Sequence, residues 1–356
     1  MPKQVGNLIR VLAAIALSAS WTAHAQWDLQ ESHTTANLRG IANLSGGVAW
    51  ASGTGGVVLR TEDGGHLWQS CAMPPGAEKL DFRAIQAFDA NTALVMSSGK
   101  GDLSRLYQTT DGCHSWTLLA TNPDPQGFWD AMQAADLDTI MILGDPVDGA
   151  FQIRETTDGG KTWSVDLGQP LWYNEGAFAA SNSSLLINWT DGPAVFVTGS
   201  PVGSRIFRRC DPCKGQSGGW AATPMPMFIW GASAGIFAIH QSSWDHLVAV
   251  GGDYRSPDGA TGNAAWSNDG GRRWHRAETW PHGYRSSVDY DKATNTWITI
   301  GPNGADISKD DGRNWSPLVP GSTDSPDAAK DWNALSLPFV VGPRGRIGKL
   351  RAAEKR

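Results

Sequence analysis

Basic residues are in short supply, and those present are scattered. Lys and Arg number 29 against 35 Asp and Glu, for a formal charge of −6, with no long run of one sign. A chain that neutralises nucleic-acid phosphates needs a basic stripe, so no nucleic-acid partner is expected. Long aliphatic runs are few. The eight His show no His-x-x-x-His or comparable spacing, so no metal is expected, and nothing calls for a cofactor. Cysteine is scarce too, at four. Against these shortages stand 42 Gly and 18 Trp. That combination points to many short strands joined by tight turns. So much aromatic surface can form a core, which argues against disorder. The length of 356 residues suits one large domain or two ordinary ones.

The N-terminus reads as an export signal. Lys3 and Arg10 precede the apolar stretch Val11–Leu17, and Ala23-His24-Ala25 is a small-x-small cleavage pattern before Gln26. The apolar stretch is too short to span a bilayer. Residues 1–25 are therefore expected to be a cleaved signal peptide and 26–356 a single mature domain, placed in the periplasm or secreted. No Cys follows the site to accept a lipid.

One octapeptide recurs through the mature chain. Thr61-Glu62-Asp63-Gly64-Gly65-His66-Leu67-Trp68 returns as Thr109-Thr110-Asp111-Gly112-Cys113-His114-Ser115-Trp116 and as Thr156-Thr157-Asp158-Gly159-Gly160-Lys161-Thr162-Trp163. It appears again as Ser267-Asn268-Asp269-Gly270-Gly271-Arg272-Arg273-Trp274 and Ser308-Lys309-Asp310-Asp311-Gly312-Arg313-Asn314-Trp315. Every copy has Trp five residues after Asp and a Ser or Thr two before it. An Asp carboxylate accepts N–H bonds within its own turn, Gly tolerates the positive φ that follows, and Trp packs as the next strand begins. The five carboxylates sit in equivalent turns, which makes them scaffold rather than catalyst.

This repeat is identified as the Asp-box, or BNR, repeat, and the resemblance implies a β-propeller with each box joining the third and fourth strands of a blade. Short apolar strands such as Gly47–Gly53, Thr139–Gly144, His246–Gly251, Thr296–Gly301 and Pro338–Gly342 recur as well. Further strands open near Arg39, Arg83, Trp129, Glu175, Ile236, Arg285 and Trp332. Seven openings, at roughly 47 residues per unit, predict an all-β propeller of seven four-stranded blades, with six or eight as neighbouring alternatives. Blade four has no recognisable box. The last unit ends without a fourth strand, which Gln26–Ser32 is expected to supply, closing the ring and removing its sheet edges. In an exported chain Cys71, Cys113, Cys210 and Cys213 point to disulfides. Three connectivities exist. The favoured one bridges adjacent blades through Cys71–Cys113 and closes a small loop with Cys210–Cys213.

Two motifs imitate catalytic ones. Gly160-Lys161-Thr162 mimics the end of a phosphate-binding loop, but Glu155 stands where its first Gly belongs. Gly231-Ala232-Ser233-Ala234-Gly235 matches a nucleophile elbow but leads into a propeller strand rather than a helix.

Asp-box propellers carry their inner-strand openings on the face opposite the boxes, together with the loops between second and third strands. Arg39, Arg83, Glu175 and Arg285 fall at such openings, as do Trp129, Asp130 and Trp332. Asp145, Asp253 and Tyr254 begin loops on that face, and Trp172, Tyr173 and Asn174 precede an opening. Arginines, acids and aromatics around a channel mouth make a recognition surface for an anion or a protein; alternatively the charges pair with one another. The whole-chain repeat, the opening strands Leu38-Arg39-Gly40, Phe82-Arg83-Ala84 and Gly283-Tyr284-Arg285-Ser286, and the final Val340-Val341-Gly342-Pro343-Arg344-Gly345 resemble bacterial relatives of the photosystem II stability/assembly factor family. That resemblance implies a monomeric, non-enzymatic assembly factor binding a protein partner through the Arg face, a membrane protein in the family's phototrophic members. The runner-up is a sialidase-like glycoside hydrolase. It would use Arg39, Arg83 and Arg285 as a carboxylate-binding triad, Tyr254 or Tyr173 with Glu175 as nucleophile pair, and Asp145 or Asp253 as acid. The Arg-Ile-Pro start of sialidases is absent.

Overall fold

The computed structural model describes residues 24–25, 27–167, 170–187, 193–210, 219–321 and 324–351. Among them, seven four-stranded antiparallel sheets form the blades of a β-propeller. Blade 1 runs through Leu38–Asn43, Ala49–Gly53, Val58–Thr61 and Gln69–Ser70, from the channel outward. Blades 2, 3, 5 and 6 open with Phe82–Ala87, Trp129–Ala134, Ala234–Gln241 and Ser287–Asp291. In blade 7, Trp27–Gln30 pairs antiparallel with Ile347–Leu350, outside Ala334–Ser336 and Phe339–Val341. The first strand thus completes the last blade, as expected. Of the segment expected to be a signal peptide, residues 1–23 lie outside the described residues, and His24–Ala25 pairs with Val319–Pro320.

Each Asp-box joins a third strand to a fourth by a fixed set of hydrogen bonds. The Ser or Thr hydroxyl donates to the box Asp at 2.8–3.0 Å. The same hydroxyl accepts the N–H four residues on, from Gly65, Cys113, Gly160, Gly271 or Gly312. The carboxylate accepts the N–H four residues after itself at 2.8–3.0 Å. Two residues between these anchors have left-handed backbone, a conformation suited to Gly; Cys113 (φ 62°) and Asp311 (φ 59°) hold it without being glycine. Donors converging on the carboxylate favour its charged form. The Ser115 and Thr162 hydroxyls, each seconded by its own N–H, hold Asp111 and Asp158 down at about 2.

The box tryptophan wedges against the preceding blade. Trp68 is buried with Phe339, Val341 and Ile347 of blade 7, its ring edge-on to Phe339 at 5.6 Å. Trp116 packs with Trp50 and Val58 of blade 1, and Trp315 with Val248 and Val250 of blade 5. Blade 4 has no box, and Trp220 of its outer strand fills the same wedge against Met141, Phe151 and Ile153 of blade 3. A disulfide joins Cys71, just beyond the outer strand of blade 1, to Cys113 in the box of blade 2. The expected Cys210–Cys213 bridge lies outside the described residues.

Blade 4 departs from the sequence reading. The opening strand expected near Glu175 is reduced to an isolated bridge between Gly176 and Gly199, and Leu185–Leu186 pairs as the inner strand. Residues 176–184 instead run irregularly across the centre. They accept Arg83 Nη1 at the Ala179 carbonyl (3.2 Å) and donate from Ser181 Oγ to the Ser286 carbonyl (2.6 Å). The Asn182 side chain accepts the Met132 N–H, and the Ser183 carbonyl that of Ile239. One blade's inner segment thereby ties blades 2, 3, 5 and 6 together.

Trp68→Ala would empty the wedge at the closure seam. We expect a loss of about 3–5 kcal/mol in chemical denaturation; a loss under 1 kcal/mol would show that the seam does not depend on it.

Candidate functional site

The inner strands of four blades share a register shift that leaves one residue unpaired, between Leu38 and Gly40, Phe82 and Ala84, Trp129 and Ala131, and Ile236 and Ala238. The pattern is large apolar, variable, small. The large residue enters the core, the small one permits close packing, and the variable one takes the channel position. That position holds Arg39, Arg83, Asp130 and Phe237. Arg285 occupies the large-residue slot of blade 6: its N–H bonds the Gly251 carbonyl of the preceding blade, as that of Leu38 bonds Gly342. Ser286 therefore stands where a third channel arginine was expected.

This one-residue offset decides the fate of the triad. Arg285 is fully buried (0% exposed). It donates from Nε to Asp306 Oδ2 (2.8 Å) and from Nη1 to the Tyr284 carbonyl and Asn303 Oδ1 (both 2.7 Å). Glu175 is likewise closed: Oε1 accepts Arg205 Nε (2.9 Å) and Thr198 Oγ1 (2.7 Å), and Oε2 accepts the Trp172 N–H. Trp129 and Trp332 are each 1% exposed and belong to the core. Asp253 braces its own turn, accepting Ser233 Oγ (2.7 Å) and the Arg255 N–H (2.9 Å). Arg285, Glu175, Trp129, Trp332 and Asp253 thus lie outside any shared site, because packing and internal pairing claim them first.

Arg39 and Arg83 do converge. Arg83 donates from Nε to Asp81 Oδ2 at 2.7 Å and lies 6.0 Å from the Phe128 ring. Arg39 is half-buried, forms no ion pair among the described residues, and has its buried Nε without a partner. Burial, then the neighbouring Arg83 guanidinium, pulls its pKa below the usual arginine value, with Asp81 and Tyr284 acting the other way. Tyr284 is buried beside Arg39, and that burial raises its phenol pKa. Across the mouth the wall is aromatic. Phe237 stacks on Phe178 at 3.9 Å, and its centroid lies 4.7 Å from Tyr284 and 6.2 Å from the half-exposed Tyr254. Tyr284, Phe237, Phe178 and Asp81 were not singled out in the sequence; only the large–variable–small register would have exposed Phe237.

Beside Arg83 lie two acids. Asp130 is 1% exposed with Oδ2 unpartnered, and burial followed by the nearby Asp145 pushes its carboxyl well above the ordinary range. Burial raises Asp145 to about 6, although its Oδ1 accepts the Ala177 N–H at 3.1 Å. Among the described residues no group of three or more His, Cys, Asp or Glu is placed to hold a metal ion.

Fold and mouth together define a seven-bladed Asp-box propeller with two inner arginines facing an aromatic wall. The sequence profile of the family described as "Photosynthesis system II assembly factor YCF48" matches residues 19–183. A solved structure described as "YCF48 bound to D1 peptide" superposes with TM-score 0.64 at 17% identity, over 96% of this chain and 100% of that one. YCF48 from Cyanidioschyzon merolae gives 0.62 at 16%, over 91% and 98%. The computationally designed protein Ika8 gives 0.53 at 10%, over 91% and 98%. No curated protein matches the sequence. The chain is an Asp-box β-propeller resembling the photosystem II assembly factor family.

Two expectations follow from the electrostatics. Asp130 and Asp145 hold protons more tightly folded than unfolded, so lowering pH from 7 towards 5 stabilises the fold. The box aspartates act oppositely: their contribution is complete above the usual carboxylate pKa of about 4 and is lost as pH falls towards 2. Denaturation midpoints should pass through a maximum at mildly acidic pH, and Asp145→Asn should flatten the limb above it; a steady decline from pH 7 in the wild type would contradict this. Separately, Arg285→Ala strands Asp306 and should cost about 3–5 kcal/mol. Arg39→Ala removes an unpartnered donor and should change stability by less than about 1 kcal/mol. Thermal melts that reverse this ranking would reverse the two assignments.

Proposed function

We propose that this protein is an exported, non-enzymatic propeller that binds a polypeptide partner as an assembly or stability factor, gripping an acidic group of the partner at the Arg39–Arg83 mouth. One observation carries the reading: Arg39 has no ion pair among the described residues, its Nε is buried without a partner, and it adjoins a second guanidinium. Holding an unpaired cation beside a second guanidinium is costly, and a carboxylate supplied by the partner would offset both the repulsion and the hydrogen bond that Arg39 lacks. The structural neighbour described as YCF48 bound to D1 peptide supports a protein partner. The resemblance points to a membrane protein under assembly as its class. The Ala23-His24-Ala25 pattern and the Cys71–Cys113 bridge support export to an oxidising compartment, with the protein acting there as a monomer.

The glycoside-hydrolase alternative loses its parts. Its nucleophile pair needs Glu175 free to activate a tyrosine, and both Glu175 oxygens are taken; its third arginine is paired with Asp306. No turnover of a fluorogenic sialoside is expected.

The binding test uses fluorescein-labelled acidic peptides with a free C-terminal carboxylate and their amidated twins. Fluorescence anisotropy should show the wild type preferring the carboxylate. Arg39→Ala, shown to be folded, should weaken that binding about tenfold or more, as expected for a charge-assisted hot spot. Equal binding by wild type and Arg39→Ala would sink the assignment of the mouth.

A further inference from the structure

Large apolar side chains are unusually exposed in the loops of blades 4 and 5 on the channel-mouth face. Val202 is 57% exposed, Phe228 45% and Trp230 61%. They form one patch. The rings of Phe228 and Trp230 lie 5.8 Å apart, and Gly203, next to Val202, sits between Trp172 and Trp230. A Cβ on Gly203 would meet Trp172 at 3.4 Å and Trp230 at 3.8 Å. The patch adjoins the aromatic wall of the mouth, because the loop after Trp230 is tied to the Tyr254 turn through Ser233: its carbonyl accepts the Tyr254 N–H (3.4 Å) and its Oγ donates to Asp253 (2.7 Å).

The cations beside these rings are also uncommitted. Arg276 stacks over Phe228 at 4.1 Å and Arg255 over Tyr254 at 5.8 Å. Both are exposed, and neither makes an ion pair among the described residues. Isolated exposed hydrophobics need no explanation, but a contiguous aromatic patch set with unpaired arginines has the composition of a binding surface. A track results, running from Arg39 past Tyr284, Phe237 and Tyr254 to Trp230 and Phe228. Its cationic end and cationic edges suit carboxylates; its floor suits aromatic or branched aliphatic side chains.

We infer that this patch is a second subsite, which receives apolar side chains of an extended acidic polypeptide segment whose carboxylate is held at Arg39. The inference rests on the proposed binding role and adds to it the partner's chemistry: carboxylates together with large apolar residues, rather than acidity alone. A polypeptide is favoured because the patch is continuous with the mouth, where residues 176–184 already show the backbone carbonyls and hydroxyls of a chain segment satisfying the inner residues of other blades.

The test compares two labelled peptides of equal length and charge, both with a free C-terminal carboxylate, one carrying Phe and Leu and the other Ser at the same positions. Wild type should bind the apolar peptide about tenfold tighter. A Phe228→Ser/Trp230→Ser variant, whose changes lie on the surface and whose melting temperature is matched to wild type, should bind both peptides equally, at the wild-type affinity for the Ser peptide. Arg39→Ala should weaken both. A double variant that keeps the apolar preference would overturn the subsite while leaving the carboxylate grip intact. Failure of wild type to bind either peptide would instead remove the binding role on which the subsite rests. Vesicles of phosphatidylglycerol and phosphatidylcholine form the remaining arm. If the double variant loses vesicle binding and wild type shows no preference between the peptides, the patch is a lipid-docking surface and the inference fails.

Discussion

Everything in this propeller hangs on a hydroxyl, a carboxylate and two left-handed residues between them. In each box the Ser or Thr side chain donates to the Asp and accepts an N–H four residues on, while the Asp accepts the N–H just before the Trp. The turn is therefore closed by side chains as well as by the sheet ladder. Its closure fixes where the Trp emerges, and the Trp is what welds one blade to the one before it. A blade alone has two apolar faces and no means of covering them. Blade 4 illustrates the constraint by lacking the box in its sequence: Trp220 of its outer strand still supplies the wedge.

Such a scaffold leaves the centre free to vary. One residue of the inner strand is released from the ladder by the register shift in four blades, and its identity differs from blade to blade. Arg39, Arg83, Asp130 and Phe237 occupy this position in four blades, and the result is lopsided, with cations in two neighbouring blades and stacked aromatics next to Tyr284. Residues 176–184 run between the inner residues of blades 2, 3, 5 and 6 and hold them together.

The buried charges around the mouth fall into two kinds. Arg285 with Asp306 and Arg205 with Glu175 are internally paired, with both oxygens of each carboxylate committed to neighbours, and their role is to hold adjacent loops together. Arg39 and the Asp130–Asp145 pair are not saturated. Arg39 lacks a partner for its buried Nε, and burial raises both acids, Asp130 also through the nearby Asp145. Unsatisfied groups cost stability, and a fold keeps them where another use offsets the cost. That contrast separates candidate function from scaffold more sharply than residue type does.

Blade architecture was readable from the chain because it is periodic. Five boxes with constant Asp-to-Trp spacing, seven candidate opening strands and a truncated last unit point to a ring closed by the N-terminal strand, whatever the side chains between them do. The Cys71–Cys113 bridge followed from the same register. The site was only partly readable. Arg39 and Arg83 were visible as equivalent positions, whereas Arg285 is one residue out of step, and a one-residue slip along a strand exchanges channel for core. Glu175 gave no sign that Arg205, thirty residues later, would claim it. Local spacing determines turns and blades, since those are built from neighbours in the chain. Which charges remain unpaired, and which rings gather around them, is decided only when seven blades meet at one axis and distant side chains compete for the same partners.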